Sequence, residues 1–254
     1  MESTSDYKLM PTFGTSFGTG WKVMSDNFLR LFLVVIILSI IVAPLKVLNL
    51  DFNLSDLHKL PWNFGHNTEQ YVDSMVTIGS WGIFAAFFGL LGMLYGLLVT
   101  PVFQFGGNII FVKTVRKIKP DFELLLNGFK ENYLHIILAN LLVIALVVMG
   151  FFALIIPGII IGCRLVFVSY IIMDKKVDPI EAVEMSWKLT RGHGWTIFFM
   201  GFVSIFIIIL GLCMLIVGIF PAIMWVGSSF ASLYESVLKS KEMPSEVQFE
   251  TPVI

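Results

Sequence analysis

The chain has 254 residues, 57% of them hydrophobic and only 14% charged, with a mean hydropathy of +0.86. A soluble domain of this size carries about 25% charged residues, so lipid is the expected surroundings of most of the chain. A net charge of −1 argues against a nucleic-acid partner.

Residues 1–27 are polar with scattered aromatics and glycines, as expected of a segment at the membrane surface on the cytoplasmic side. They lack the pattern of a cleavable signal peptide, and the first apolar run, Phe28 to about Val47, is span-length and reads as a signal anchor. A polar loop follows over 49–75, expected outside the membrane. Residues 75–112 then carry no charge at all. A straight helix of that length would measure roughly 57 Å, long for one crossing and short for two, and Pro101, Gly106 and Gly107 offer a kink or a turn.

Basic residues decide the count, because lysine and arginine concentrate on the cytoplasmic side. If 75–112 crosses once, fourteen of the seventeen basic residues lie inside, including Lys113, Arg116, Lys117, Lys175, Lys176 and Arg191. Only Lys46 and Lys59 are then outside, with Arg164 inside a span. The later spans fall at 134–156, 158–173, 196–219 and 222–238, each pair turning at a proline, Pro157 or Pro221. The expected fold is therefore an all-α polytopic bundle of six transmembrane helices. The membrane domain is 28–238, and the tail 239–254 is cytoplasmic like the N-terminus.

Three segments repeat one order of parts: a proline, a small residue with an aromatic and a lysine, then a span. They are Pro11 with Gly20-Trp21-Lys22, Pro120 with Gly128-Phe129-Lys130, and Pro179 with Ser186-Trp187-Lys188. Tyr170 and Tyr234 stand equally far past the turn prolines, as do Arg164 and Ser228, while Asn140 and Ser204 stand equally far before them. A duplicated helix hairpin is expected.

The connector after Asp174 reads as an interfacial helix. Asp178 suits its cap, Pro179 its first position, and Glu181 completes a capping box. Glu181, Glu184, Lys188 and Arg191 form one polar stripe, with Glu184 and Lys188 a favourable pair. Such a helix lies in the membrane plane, as an elbow between spans or as a docking surface for a cytoplasmic protein. A second pattern lies on the uncharged run, where Gly82, Ala85, Gly89, Gly92 and Gly96 share one helix face. Small residues so spaced allow close helix packing, within the chain or in a homo-oligomer.

Catalytic signatures are absent: there is no metalloprotease helix, nucleophile elbow, phosphate-binding glycine loop or paired intramembrane acid. His58 and His66, with Asp51 and Asp56, fit no standard metal spacing. Cys163 and Cys213 fall inside apolar runs and read as small buried hydrophobes. No cofactor or metal is expected. Arg164 stands apart, roughly 10 Å along a helix from Pro157 and roughly 15 Å from Asp174. A charge there faces the bundle interior, and Gly150 leaves room for it. Ser228, Asn140, Asn108, backbone carbonyls or a lipid phosphate are its candidate partners. Its role is a structural pin between helix ends or an anion site.

Ile156-Pro157-Gly158-Ile159, Arg164, Tyr170, Asp174, Glu181-Ala182, Ser186, Arg191-Gly192-His193 and Pro221 with Tyr234 make up a pattern over roughly 100–238. It resembles uncharacterised bacterial six-span integral membrane proteins related to the membrane domain of glycerophosphoryl diester phosphodiesterases. The resemblance implies a six-helix bundle in the bacterial inner membrane. It does not carry catalysis across, because in phosphodiesterase members a separate soluble barrel does the chemistry. The expected function is that of a non-enzymatic inner-membrane accessory or scaffold. It would bind anionic phospholipid, a membrane or cytoplasmic protein, or a second copy of itself. The alternative is a small transporter or lipid translocator with a cavity around Arg164.

Overall fold

A computed structural model describes residues 9–48, 87–118, 123–130 and 133–242. The loop 49–75 with His58 and His66, together with Gly82 and Ala85 of the small-residue stripe, lies outside the described residues. Within them the chain forms only helices and their connecting turns. In order these are α1 (Phe13–Asp26), α2 (Phe28–Leu48), α3 (87–98), α4 (Thr100–Val115), α5 (Leu124–Lys130) and α6 (Tyr133–Ala153). There follow α7 (Ile155–Leu165), α8 (Val168–Lys175), α9 (Pro179–Thr190), α10 (Gly194–Cys213) and α11 (Leu215–Glu242).

Four described helical stretches are long and apolar enough to cross a membrane: Phe87–Val115, Tyr133–Ala153, Ile155–Lys175 and Gly194–Cys213. Counting as one span the pair Phe13–Asp26 and Phe28–Ile41, bent by 95°, makes five. The bend falls at Asn27, whose backbone and side-chain nitrogens both donate to the Val23 carbonyl and close α1. Pro101, Gly106 and Gly107 all lie inside α4, so the uncharged run does not turn back at them.

The chain divides into two compact units, Ser39–Thr100 and the remainder. In the smaller unit, Tyr95 donates its hydroxyl to the Ile41 carbonyl at 2.9 Å. Phe87, Leu90, Met93 and Leu98 of α3 are exposed, as lipid-facing side chains would be. The glycine stripe fares unevenly. Gly92 is buried, but a Cβ added at Gly89 would meet nothing within 4 Å. Among the described residues of the chain, Gly89 makes no close helix approach.

The larger unit is built around α11. From Ser228 to Leu238 every residue but Phe230 is buried, including Ser228, Ser229, Ser232, Glu235 and Ser236. Read from sequence, this helix is one apolar span among six. Its polar positions instead face protein, where hydroxyls can bond back to their own helix, as Ser229 does to the Trp225 carbonyl. α1 packs along it: Trp225 donates Nε1 to the Phe17 carbonyl at 3.1 Å, and Trp21 meets Trp225 edge to face. α10 is the contrast, with Phe202, Ile205, Phe206, Ile209 and Leu212 exposed in the manner of a helix facing lipid. Cys213 shares that exposure, and Cys163 is half-buried; both thiols are free. The reading of both as buried hydrophobes holds for neither, because the outward face of such a helix is itself apolar.

The hairpin turns also fall elsewhere than at the prolines. The chain turns at Leu154, in extended backbone, and at Met214. Pro157 lies in the first turn of α7, where a missing N–H costs nothing, and Pro221 lies inside α11. Gly150 and Gly158 bring α6 and α7 together: a Cβ at Gly150 would lie 3.0 Å from the Gly158 Cα. The space at Gly150 is thus used by the hairpin partner and not by Arg164.

Each of the three proline-led segments contains a helix, α1, α5 or α9. In each the small residue (Gly20, Gly128, Ser186) is buried and the following aromatic (Trp21, Phe129, Trp187) is exposed. α9 begins at Pro179 as expected, buries Ala182, Ser186, Leu189 and Thr190, and exposes Glu181, Glu184, Lys188 and Ile180. Glu184 and Lys188 pair at 3.7 Å. Asp178 occupies the cap position without capping; its carboxylate lies 3.1 Å from His135 Nε2 on α6 instead.

Candidate functional site

Two polar arrangements stand out in the larger unit, and they differ in whether their charges are answered. The first joins the ends of α4 and α8 to the middle of α11. α4 closes with Ile118 N–H donating to the Lys113 carbonyl and Lys117 N–H to that of Thr114, with Lys117 in the left-handed region at φ 60°. That turn holds Arg116 at the helix end. Its Nη1 and Nη2 donate to the two Asp174 oxygens at 2.6 and 2.8 Å, and its Nε donates to Glu235 Oε2 at 2.7 Å.

Tyr234 donates its hydroxyl to Asp174 Oδ2 at 3.0 Å, and Lys239 lies 3.7 Å from the other Glu235 oxygen. Beneath this network the Tyr170 and Tyr234 rings stack at 5.3 Å, with Phe167 edge-on to both. Two cations meet two carboxylates, and the guanidinium fork is used on three bonds. A bidentate arginine of this kind gives a fixed geometry.

Sequence reasoning counted Arg116 only as a cytoplasmic charge and gave Asp174 no partner. It missed Glu235 altogether, although Glu235 is the only acidic residue in 222–238. A lone acid in an apolar span is itself a signal of an internal partner.

The second arrangement surrounds Arg164, at the end of α7. Its backbone carbonyl accepts hydrogen bonds from Ser186 at 2.7 Å and Thr190 at 3.4 Å, so the last turn of α9 rests against it. Arg164 is therefore beside the connector helix α9 and lies within a stretch, Ile155–Lys175, that is long and apolar enough to cross a membrane. Its guanidinium lies over the Trp187 ring, 5.8 Å from the centroid, a favourable cation–π placement. Nη1 is buried without a hydrogen-bond partner, which is costly for a charged donor.

Among the described residues, none of Asn108, Asn140 and Ser228 hydrogen-bonds to the guanidinium. Asn108 donates to Ser169 at 3.0 Å, Ser228 is buried with its hydroxyl unpartnered, and no hydrogen bond links Asn140 to Arg164.

Beside Arg164 is a half-open groove of about 580 Å³ between α7 and the start of α10. Ile156, Ile159, Ile160, Trp195 and Phe198 make its walls apolar, and Cys163, Arg164, Gly192 and Gly194 complete it. Three more basic residues lie near that lining without being part of it. Arg191 and His193 alternate with Gly192 and Gly194. Lys241, from the end of α11, donates to the carbonyls of Lys188 and of Arg191, the latter at 3.2 Å.

Burial, then the Arg164 and Arg191 charges, hold the Lys241 ammonium below the ordinary lysine range. Burial and the Lys241 charge likewise depress His193. Among the described residues no carboxylate pairs with Arg164, Arg191 or Lys241. No group of three His, Cys, Asp or Glu side chains is placed to hold a metal among them either.

No protein-family model, curated protein or solved structure matches this chain.

Proposed function

We propose that this chain is a non-enzymatic multi-pass membrane protein whose groove at Arg164 holds an anionic phospholipid, making it an accessory or scaffold element of its membrane. One observation carries the reading: the guanidinium of Arg164, which lines an apolar groove, has a buried nitrogen without a partner and no described carboxylate to answer it. Acyl chains suit the isoleucine and aromatic walls, and a phosphate suits the cations, since an arginine fork bonds phosphate oxygens at two donors. A groove open along its side favours a resident lipid over an enclosed transport path.

Native mass spectrometry of protein released from lipid nanodiscs is expected to find anionic lipid retained by the parent. Arg164→Lys, which keeps charge without the fork, should retain less, and Arg164→Leu almost none. The same lipid retained undiminished by Arg164→Leu would refute the reading.

The proposed setting is the bacterial inner membrane, with six spans and both termini cytoplasmic. The basic-residue distribution and the resemblance over roughly 100–238 to the six-span bacterial group support it. The shared environment of Gly20, Gly128 and Ser186 and the meeting of Tyr170 with Tyr234 support a duplicated hairpin. In a chain carrying Cys163→Ala and Cys213→Ala, a cysteine at position 53 should react with an impermeant maleimide on intact cells. One placed at the exposed Ile118 should react only after lysis. External labelling at 118 would overturn the topology.

A further inference from the structure

The basic residues at and beside the groove, Arg164, Arg191, His193 and Lys241, carry more charge than one ordinary phospholipid supplies. A phosphodiester headgroup such as that of phosphatidylglycerol brings a single negative charge and two free oxygens. Of those basic residues only Arg164 lines the groove; His193 stands between its lining glycines in the chain, Lys241 bonds the Arg191 carbonyl next to Gly192, and no described carboxylate offsets them. Burial, and after it the Arg164 and Arg191 charges, hold the Lys241 ammonium below the ordinary lysine range. A phosphomonoester brings about 1.5 to 2 negative charges and three acceptor oxygens. It can take a hydrogen bond from the orphaned Arg164 Nη1 while still facing Lys241.

Resting on the lipid reading above, we infer that the groove selects a lipid whose headgroup is a terminal phosphate, of the phosphatidic-acid class. Arg164 is the anchoring donor, and Lys241 and His193 are the residues that distinguish monoester from diester. The three come from α7, the end of α11 and the turn before α10. Recognition therefore requires the ends of these elements to be assembled, and a bound phosphate joins them.

The full-length protein in neutral detergent is titrated separately with dioctanoyl phosphatidic acid, phosphatidylglycerol and phosphatidylcholine. Phosphatidic acid is expected to bind about tenfold more tightly than phosphatidylglycerol, the equivalent of one additional charge-assisted hydrogen bond. Phosphatidylcholine should bind weakest. Lys241→Gln and His193→Gln, measured in parallel so that either can carry the test, should bring the two anionic lipids' affinities together. Arg164→Leu should weaken both.

Equal binding of the two anionic lipids, with phosphatidylcholine weaker, would overturn the headgroup inference and leave the lipid reading standing. Equal binding of all three would overturn both. A phosphatidic-acid preference untouched by either glutamine variant would overturn the roles given to Lys241 and His193. Displacement by inorganic phosphate at concentrations matching the lipid would overturn a lipid as its source.

Discussion

Arg116→Met is expected to destabilise the folded protein by about 3–5 kcal/mol, the range for removing one partner of a buried ion pair. Methionine fills much of the same volume, so packing alone is little disturbed. Electrostatics decides the outcome. The Asp174 and Glu235 side chains are only 9% and 6% exposed, and without the guanidinium both carboxylates are buried with far too little positive charge. Lys239, 3.7 Å from Glu235 and half in solvent, answers one of them weakly.

Arg116→Lys should fall between parent and methionine, since an ammonium cannot bond both Asp174 oxygens and Glu235 at once. Combining Arg116→Met with Asp174→Asn and Glu235→Gln should recover most of the loss by removing the unanswered charges. Thermal unfolding in nanodiscs, followed by tryptophan fluorescence, reads all of these. A methionine variant melting with the parent would mean that the network is solvated and contributes nothing.

Gly20→Leu should rank second, with an overpacking cost of about 1–3 kcal/mol or more. A Cβ at Gly20 would lie 2.7 Å from both the Cα and the backbone nitrogen of Ser229. Backbone in the middle of a buried helix cannot swing aside as a side-chain tip can. α1 would have to lift from α11, straining the Trp225–Phe17 hydrogen bond and the Trp21–Trp225 contact. Gly18, two positions away on α1, meets nothing within 4 Å. Gly18→Leu is thus the control, expected within about 0.5 kcal/mol of the parent. Equal melting of the two variants would show that α1 does not rest on α11 at Gly20.

The glycines separate two kinds of information. Spacing alone singled out Gly89 and Gly92 and passed over Gly20, yet of Gly89 and Gly20 only Gly20 is pressed against another backbone. A stripe shows which residues share a helix face. It does not show whether that face meets protein or lipid, since lipid tolerates small and large apolar residues alike. The prolines teach the same lesson. Pro157 and Pro221 look like breaks in the sequence, but Pro157 fits a first turn and α11 continues through Pro221, held by its surroundings.

Local order was legible because local rules produce it. Long apolar runs became helices near their expected limits at Phe28, Tyr133 and Gly194, and Pro179 opened the connector with its charged stripe outward. That the described residues are helical, with several helices fit for a membrane, follows from hydropathy, since a backbone in lipid must satisfy its own hydrogen bonds.

Tertiary structure alone decided which polar residues meet. Arg116 finds Asp174 and Glu235 at separations of 58 and 119 residues, beyond the reach of any periodicity. Tyr170 and Tyr234 could be matched by their equal distance from a proline, but only packing made them a stack. Arg164 was visible as a charge in an apolar run. That its carbonyl is taken by α9, its Nη1 by nothing, and its flank by a groove shared with Gly192 and Gly194 depends on three chain segments converging. The physical reason is that a side chain's chemistry can be read from sequence, whereas its partners are set by which surfaces the fold brings into contact.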